Sequence, residues 1–241
     1  MRQFGIVWIP ICSGTNRYTD NKPIFSQIVG LIAAALGLER DDEQINHLYD
    51  DYDLACMVIP TKGFKITDFH TLIGNDKNQG ALISRREYLT DVLFDVALKV
   101  KDQNLNSSVL FNLENIAQAL KHPAFALYVG RRSCAVSLPL DPMIINCSSF
   151  VEAFQTYFKN RQVGTPLIEN MLHLSQFNRF NGYFDLKDSV GIDVKLVWQG
   201  LQKIAGVDVF STTYLRDRCV NRKSMRFIER PVSYSSVRLE V

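Results

Sequence analysis

Short apolar runs alternate along the chain with polar, glycine-bearing stretches. Phe4 to Ile9 is β-branched and aromatic and is stopped by Pro10, the pattern of a buried strand. Cys12 to Pro23 is polar and loop-like. Phe25 to Leu38 predicts a helix, because Ala33-Ala34-Ala35-Leu36 has high helix propensity and Gly37 is a natural stop. Nearly every position from Ile28 to Leu36 is apolar or small, so this helix is expected to pack on most of its surface. Asp41 to Asp51 reads as a short acidic helix and Leu54 to Ile59 as a second strand. Thr61 to Arg86 holds Gly63, Gly74 and Gly80 among charges and amides, without a sustained period. It is a long excursion of the extended-hairpin kind. Tyr88 to Val100 resumes a strand, with Val92, Phe94, Val96 and Leu98 on one face. Leu110 to Leu120 reads as a helix, and Phe125 to Val129 as the strand after it.

That order, strand, helix, strand, insertion, strand, helix, strand, predicts an α+β fold. It is the βαββαβ order of a ferredoxin-like or RRM-type domain. The order hosts unrelated functions and settles none. Beyond Asp141 the pattern predicts a helix from Ser149 to Phe158 and strands at Val190–Val197 and Val207–Tyr214. The expected division is a domain over 1–145, with the insertion at about 60–88, and a smaller, mainly β region over 146–241 with an arginine-rich tail. That tail holds Arg216, Arg218, Arg222, Arg226, Arg230 and Arg238.

Composition narrows the function classes. The 241 residues are 46% apolar and 22% charged, enough for a sizeable core without disulfides or metals. A net charge of +2 excludes a generally basic nucleic-acid binder, so any such site must come from local clustering. Cys12, Cys56, Cys134, Cys147 and Cys219 are scattered and odd in number. No Cys-x-x-Cys, histidine or acidic cluster has metal-ligand spacing. No cofactor or metal is expected, and reduced thiols point to the cytoplasm. The N-terminus has no signal-peptide pattern, and Ile28 to Leu38 is too short to span a bilayer.

The most informative stretch is Tyr128-Val129-Gly130-Arg131-Arg132-Ser133-Cys134. Gly130 lets the backbone turn and approach a ligand closely, and two guanidinium forks follow it. Such a loop grips a nucleic-acid backbone, or it is a surface turn with solvated arginines; the stretch alone allows both.

Other segments add to it. Pro23 to Leu38 (PIFSQIVGLIAAALGL) enters an apolar helix. Asp68-Phe69-His70-Thr71 is followed by Arg86-Glu87-Tyr88-Leu89-Thr90-Asp91 and a strand. Arg216-Asp217, Arg226-Phe227 and Arg230-Pro231-Val232 lie near the C-terminus. With the Gly-Arg-Arg-Ser-Cys run, these segments resemble, in order, the CasD subunits of type I-E CRISPR Cascade complexes, in the RAMP superfamily. The resemblance covers most of the first 140 residues and a C-terminal stretch, and Ser148 to Phe210 has no match. Ile11-Cys12-Ser13-Gly14-Thr15 stands where the family shows a Gln-x-Trp-Gly turn, and Phe25 and Gln27 stand where Lys and Gly are usual.

The resemblance implies a non-catalytic subunit that caps the 5′ handle of a CRISPR RNA. It implies packing against the CasC backbone subunit and the CasA large subunit, and reaching target DNA through the assembled complex, with no membrane contact. The insertion would be the family's thumb, a hairpin that wedges against the RNA. Candidate RNA-binding residues are Arg17, Lys22, Ser26 and Gln27 around the first helix, with Ser26 as a helix cap directing N–H groups at a phosphate. His70, Arg85 and Arg86 on the insertion and Gly130, Arg131, Arg132 and Ser133 in the loop complete the set. The alternative is a metal-independent endoribonuclease of the RAMP type processing precursor CRISPR RNA, with His70 as its acid or base beside Tyr88 and Lys62. Trp8 and Trp198 read as core.

Overall fold

A computed structural model of the chain describes residues 2–11, 22–59, 65–72, 82–89, 92–104, 109–130, 132, 134–136, 140–160 and 192–239. In chain order the elements are β1 (Arg2–Ile11), α1 (Phe25–Ala35), α2 (Ile45–Asp50), β2 (Tyr52–Ile59), β3 (Lys65–Leu72) and β4 (Leu82–Leu89). They continue with β5 (Val92–Val100), α3 (Leu113–Lys121), β6 (Met143–Cys147), α4 (Phe150–Asn160), β7 (Ile192–Gln199), β8 (Ser211–Asn221) and β9 (Arg226–Leu239). Seven strands form one sheet in the order β6-β1-β5-β2-β7-β9-β8, with every neighbouring pair antiparallel. β3 and β4 form a separate two-stranded ribbon. The fold is α+β with an antiparallel sheet. The boundary expected near residue 145 falls inside β6, and strands from both sides of it share the sheet.

β2 shows why the sheet is buried on both faces. Leu54 and Cys56 pack with Phe94, Val96 and Leu98 under α1, α2 and α3. The alternate residues Ala55 and Met57 pack with Ala97 against Phe150, Ala153, Phe154 and Tyr157 of α4. α1 is apolar nearly all round, as its sequence predicts, and stops in a Schellman motif. Gly37 takes φ +79°, its N–H donates to Ala34 O at 3.2 Å, and Leu38 N–H donates to Ala33 O at 2.9 Å. α3 is capped by Asn112, whose Oδ1 accepts from Asn115 N–H at 2.7 Å. α4 is capped by Ser149, whose Oγ accepts from Glu152 N–H, and the Glu152 carboxylate accepts from the N–H and hydroxyl of Ser148 one residue earlier.

Three strand expectations change. Tyr88–Val100 is two strands, because residues 82–89 mix charge and apolar side chains as a solvated ribbon does, whereas 92–100 is mostly apolar. Phe125–Val129 forms no strand. The N–H groups of Ala124 and Phe125 donate to Ala35 O and Ala34 O, which ties this segment to α1. The strand beside β1 is Met143–Cys147. The strand expected at Val207–Tyr214 runs instead from Ser211 to Asn221, through a charged stretch whose Asp217 is buried against Arg230.

Candidate nucleic-acid interface

The Gly-Arg-Arg-Ser run lies in a narrow loop. Val129 N–H donates to Cys134 O at 2.9 Å, Val136 N–H donates to Leu127 O at 3.2 Å, and Tyr128 bridges Ala135. Val129 and Cys134 are buried, so the described residues between and beside them alternate outward: Tyr128, Gly130, Arg132 and Ala135 are exposed. Gly130 takes φ +78°, where an L side chain is strained. A Cβ there would also stand 2.9 Å from Gln27 Nε2. The glycine is therefore required twice, by its backbone angle and by its closeness to the first turn of α1. Gln27 Oε1 accepts from Ile24 N–H at 3.2 Å, which holds the side chain with its Nε2 toward the loop. Two predicted residues about a hundred positions apart, Gln27 and Gly130, thus meet. Arg132 follows them, exposed and without an ion pair to any described residue.

The α1 terminus itself differs from expectation. Ser26 does not cap it; the N-cap position is Ile24. Phe25 N–H donates instead to Asp217 Oδ2 at 3.0 Å. Asp217 is also held by Arg230, through Nε at 2.5 Å and Nη2 at 2.8 Å, and the guanidinium lies 4.3 Å from the centroid of the Phe25 ring. A protein carboxylate thus fills the place where a phosphate at this helix end was expected, because α1 begins against β8. Lys22 is buried too, its ammonium 5.0 Å from the Tyr234 ring centroid.

Nothing in the local sequence announces the Asp217–Arg230 pair. Its members face each other across a hairpin and cap a helix 192 positions from Asp217. Other tail arginines are engaged within the fold. Arg218 pairs with Asp50, Arg216 Nε donates to Phe227 O at 3.1 Å, and Arg222 lies 6.0 Å from the Tyr49 ring. Burial pushes the Tyr49 hydroxyl up to about 12, with Asp217 adding to the shift and Arg222 opposing it.

On the ribbon, Phe69 pairs with Arg85, Asp68 with Arg86, and His70 with Ser84. Tyr88 pairs with Ile66, four positions along β3 from His70, or about 13 Å at the rise of a strand. The expected His70–Tyr88 constellation is not brought together. Arg17, Lys62, Arg131 and Ser133 lie outside the described residues. Among the described residues no cluster of His, Cys, Asp and Glu has the geometry of a metal site, and no helix is long and apolar enough to cross a membrane.

The sheet itself is not an open platform. RRM domains stack bases on a sheet face. Here the face bearing Ala55, Met57 and Ala97 is covered by α4.

Comparison with known proteins agrees with this architecture. The family model described as CRISPR-associated protein (Cas_Cas5) matches residues 14–232. CRISPR system Cascade subunit CasD of Escherichia coli (strain K12) is 30% identical over 145 residues, covering 54% of this chain. The match spans 62% of the length of that relative. A chain from a structure described as a CRISPR RNA-guided surveillance complex shares the fold, with a TM-score of 0.61 at 20% identity over 99% of this chain and 91% of the other. A structure described as a Cas protein superimposes with a TM-score of 0.53 at 21% identity over 98% and 95%. With nine-tenths of its length inside the family model, the chain belongs to this family of CRISPR-associated proteins, and it is similar to CasD.

Proposed function

We propose that this chain is a non-catalytic, RNA-binding subunit of a CRISPR surveillance complex of the Cascade type, acting in antiviral defence. It grips the 5′ handle of the CRISPR RNA and bridges a CasC-type backbone subunit and a CasA-type large subunit. It reaches target DNA only as part of that assembly. One observation carries the reading: Gly130 brings the loop backbone against the Gln27 amide, a neutral close-approach point, and Arg132, two residues on, is exposed with no ion pair among the described residues. Such contacts position a strand without reading its bases.

Other features support the finer parts. The strand order β6-β1-β5-β2, with α1 and α3 as the connections, supports a ferredoxin-like arrangement. The β3–β4 ribbon supports the thumb role, with Ile66 and Phe69 exposed on it at 45% and 60%. A two-stranded ribbon is marginal alone. Phe210 and Tyr214, just before and on β8 at the far edge of the sheet, are also exposed, and a second apolar surface suits a bridging subunit. The separation of His70 from Tyr88 favours binding over cleavage.

Gentle purification from the native host tests the proposal. The chain should return with CRISPR RNA and further Cascade subunits; recovery alone and free of RNA would overturn it. Incubation with its cognate repeat RNA should give no cleavage. Cleavage lost in His70→Ala with affinity unchanged would instead establish the endoribonuclease reading.

A further inference from the structure

Tyr128 is left unexplained by phosphate binding. It is 38% exposed although its neighbour Val129 is 1% exposed, so the loop is firmly seated and still turns this ring outward. The two positions flanking it on the outer face are Ala135, its cross-strand partner, and Gly130, two residues on. Neither side chain is large enough to cover an aromatic ring. Beyond Gly130 stand the Gln27 amide and the Arg132 guanidinium. A partly exposed ring, a gap without side chain, and a cation in succession along the chain match the order of base, sugar and phosphate in one nucleotide.

We propose that Tyr128 is a stacking platform for one unpaired base of a single RNA strand whose phosphate lies at the Gly130–Gln27–Arg132 corner. The inference rests on the RNA-binding reading above and adds a requirement for an unstacked, unpaired nucleotide at this point. Every base has a π face, so the platform tolerates sequence. The covered sheet face makes such a platform on the loop necessary, because the usual RRM surface is closed here.

The test measures binding of the full chain, alone and in its assembled complex, to single-stranded repeat-handle RNA. One nucleotide at a time is replaced by 2-aminopurine or by an abasic residue. Tyr128→Ala should weaken binding about five- to a hundredfold with the salt slope unchanged, and Tyr128→Phe should bind like the wild type. One 2-aminopurine position should be quenched in the wild type and in Tyr128→Phe, and not in Tyr128→Ala. An abasic residue at that position should weaken the wild type as much as Tyr128→Ala does, a readout that needs no protein variant. If Arg132→Ala weakens binding while Tyr128→Ala and every abasic strand bind normally, the platform is refuted and the RNA reading stands. If the wild type binds no RNA in either form, the RNA reading fails and the platform with it.

Discussion

Arg230 and Arg132 carry the same guanidinium, and each belongs to a segment that meets the first turn of α1. Arg230 is 5% exposed, stacked on Phe25 and forked onto Asp217. Arg132 is exposed and meets no described carboxylate. The difference lies in what the surrounding strands supply. β8 delivers Asp217 at an inward position in the register irregularity between Leu215 and Arg218, within reach of the inward Arg230 of β9, so the pair closes over the helix end. Among the described residues of the loop at 127–136, Val129 and Cys134 are buried and Arg132 is exposed. An arginine-rich stretch is thus no guide by itself to nucleic-acid binding. In the tail arginines hold the fold together, and in the loop Arg132 is exposed.

The largest effect expected is on the buried pair. Asp217→Ala leaves a buried guanidinium without its anion and Phe25 N–H without its acceptor. It should cost about 3–5 kcal/mol, read as a lower denaturant midpoint at constant m. Asp217→Ala combined with Arg230→Met should recover much of that loss, because no uncompensated charge remains. A loss below about 1 kcal/mol in the single variant would erase the distinction between the two arginines.

Alkaline pH probes the same cluster through Tyr49. Burial keeps its hydroxyl neutral, with the folded value near 12 against an ordinary 10. The folded value is the higher, so the contribution is complete below pH 10 and is lost as pH rises from about 10 to about 12. A shift of this size corresponds to roughly 2–3 kcal/mol. Urea midpoints measured across that window should fall more steeply in the wild type than in Tyr49→Phe. Equal slopes would show that the hairpin does not bury this hydroxyl in solution.

Some of this was legible in the sequence. α1, α3 and α4 follow from apolar periodicity and their stops, and Gly130 from the need of a close turn for a residue without Cβ. Each is a local signal. The segment at 125–129 has strand-forming residues, yet Ala124 and Phe125 donate to α1 and Val129 donates across its own loop, contacts that override propensity. Asp217 stands beside Arg216 in the arginine-rich tail, with no local sign of burial. Its burial depends on a register across a hairpin and on the approach of a helix from the other end of the chain. Gln27 belonged to the candidate set, but its partner Gly130 was not predictable, because contacts at that separation leave no mark in local pattern.

Two glycines separate backbone strain from contact. Gly130 and Gly206 take φ +78° and +76°, but only at Gly130 would a Cβ meet a neighbour, Gln27 Nε2. Gly206→Ala should cost about 1–2 kcal/mol from the angle alone. Gly130→Ala should cost that amount or slightly more and should also displace Gln27. Thermal melts compare the stabilities, and RNA titration should detect a loss for Gly130→Ala alone. Matching RNA affinities would detach the loop from the site.

The smallest effect on stability is expected at Arg132, and there the comparison is sharpest. Its side chain is exposed and engages no described carboxylate, so Arg132→Ala removes no packing and strands no charge. Surface changes of this kind stay within about 0.5 kcal/mol, and the denaturant midpoint should hardly move. Binding should respond differently. Each phosphate neutralised on a single strand contributes about −0.7 to the slope of log K against log [salt], so losing one contact should flatten the slope by roughly 0.7. Arg132→Lys keeps the charge and loses the fork, and it should restore the slope while leaving affinity below the wild type. Base identity should not alter any of these differences. A variant with both stability and salt slope unchanged would make Arg132 a solvated surface residue, and the loop would then be a turn built on Val129, Gly130 and Cys134 for packing alone.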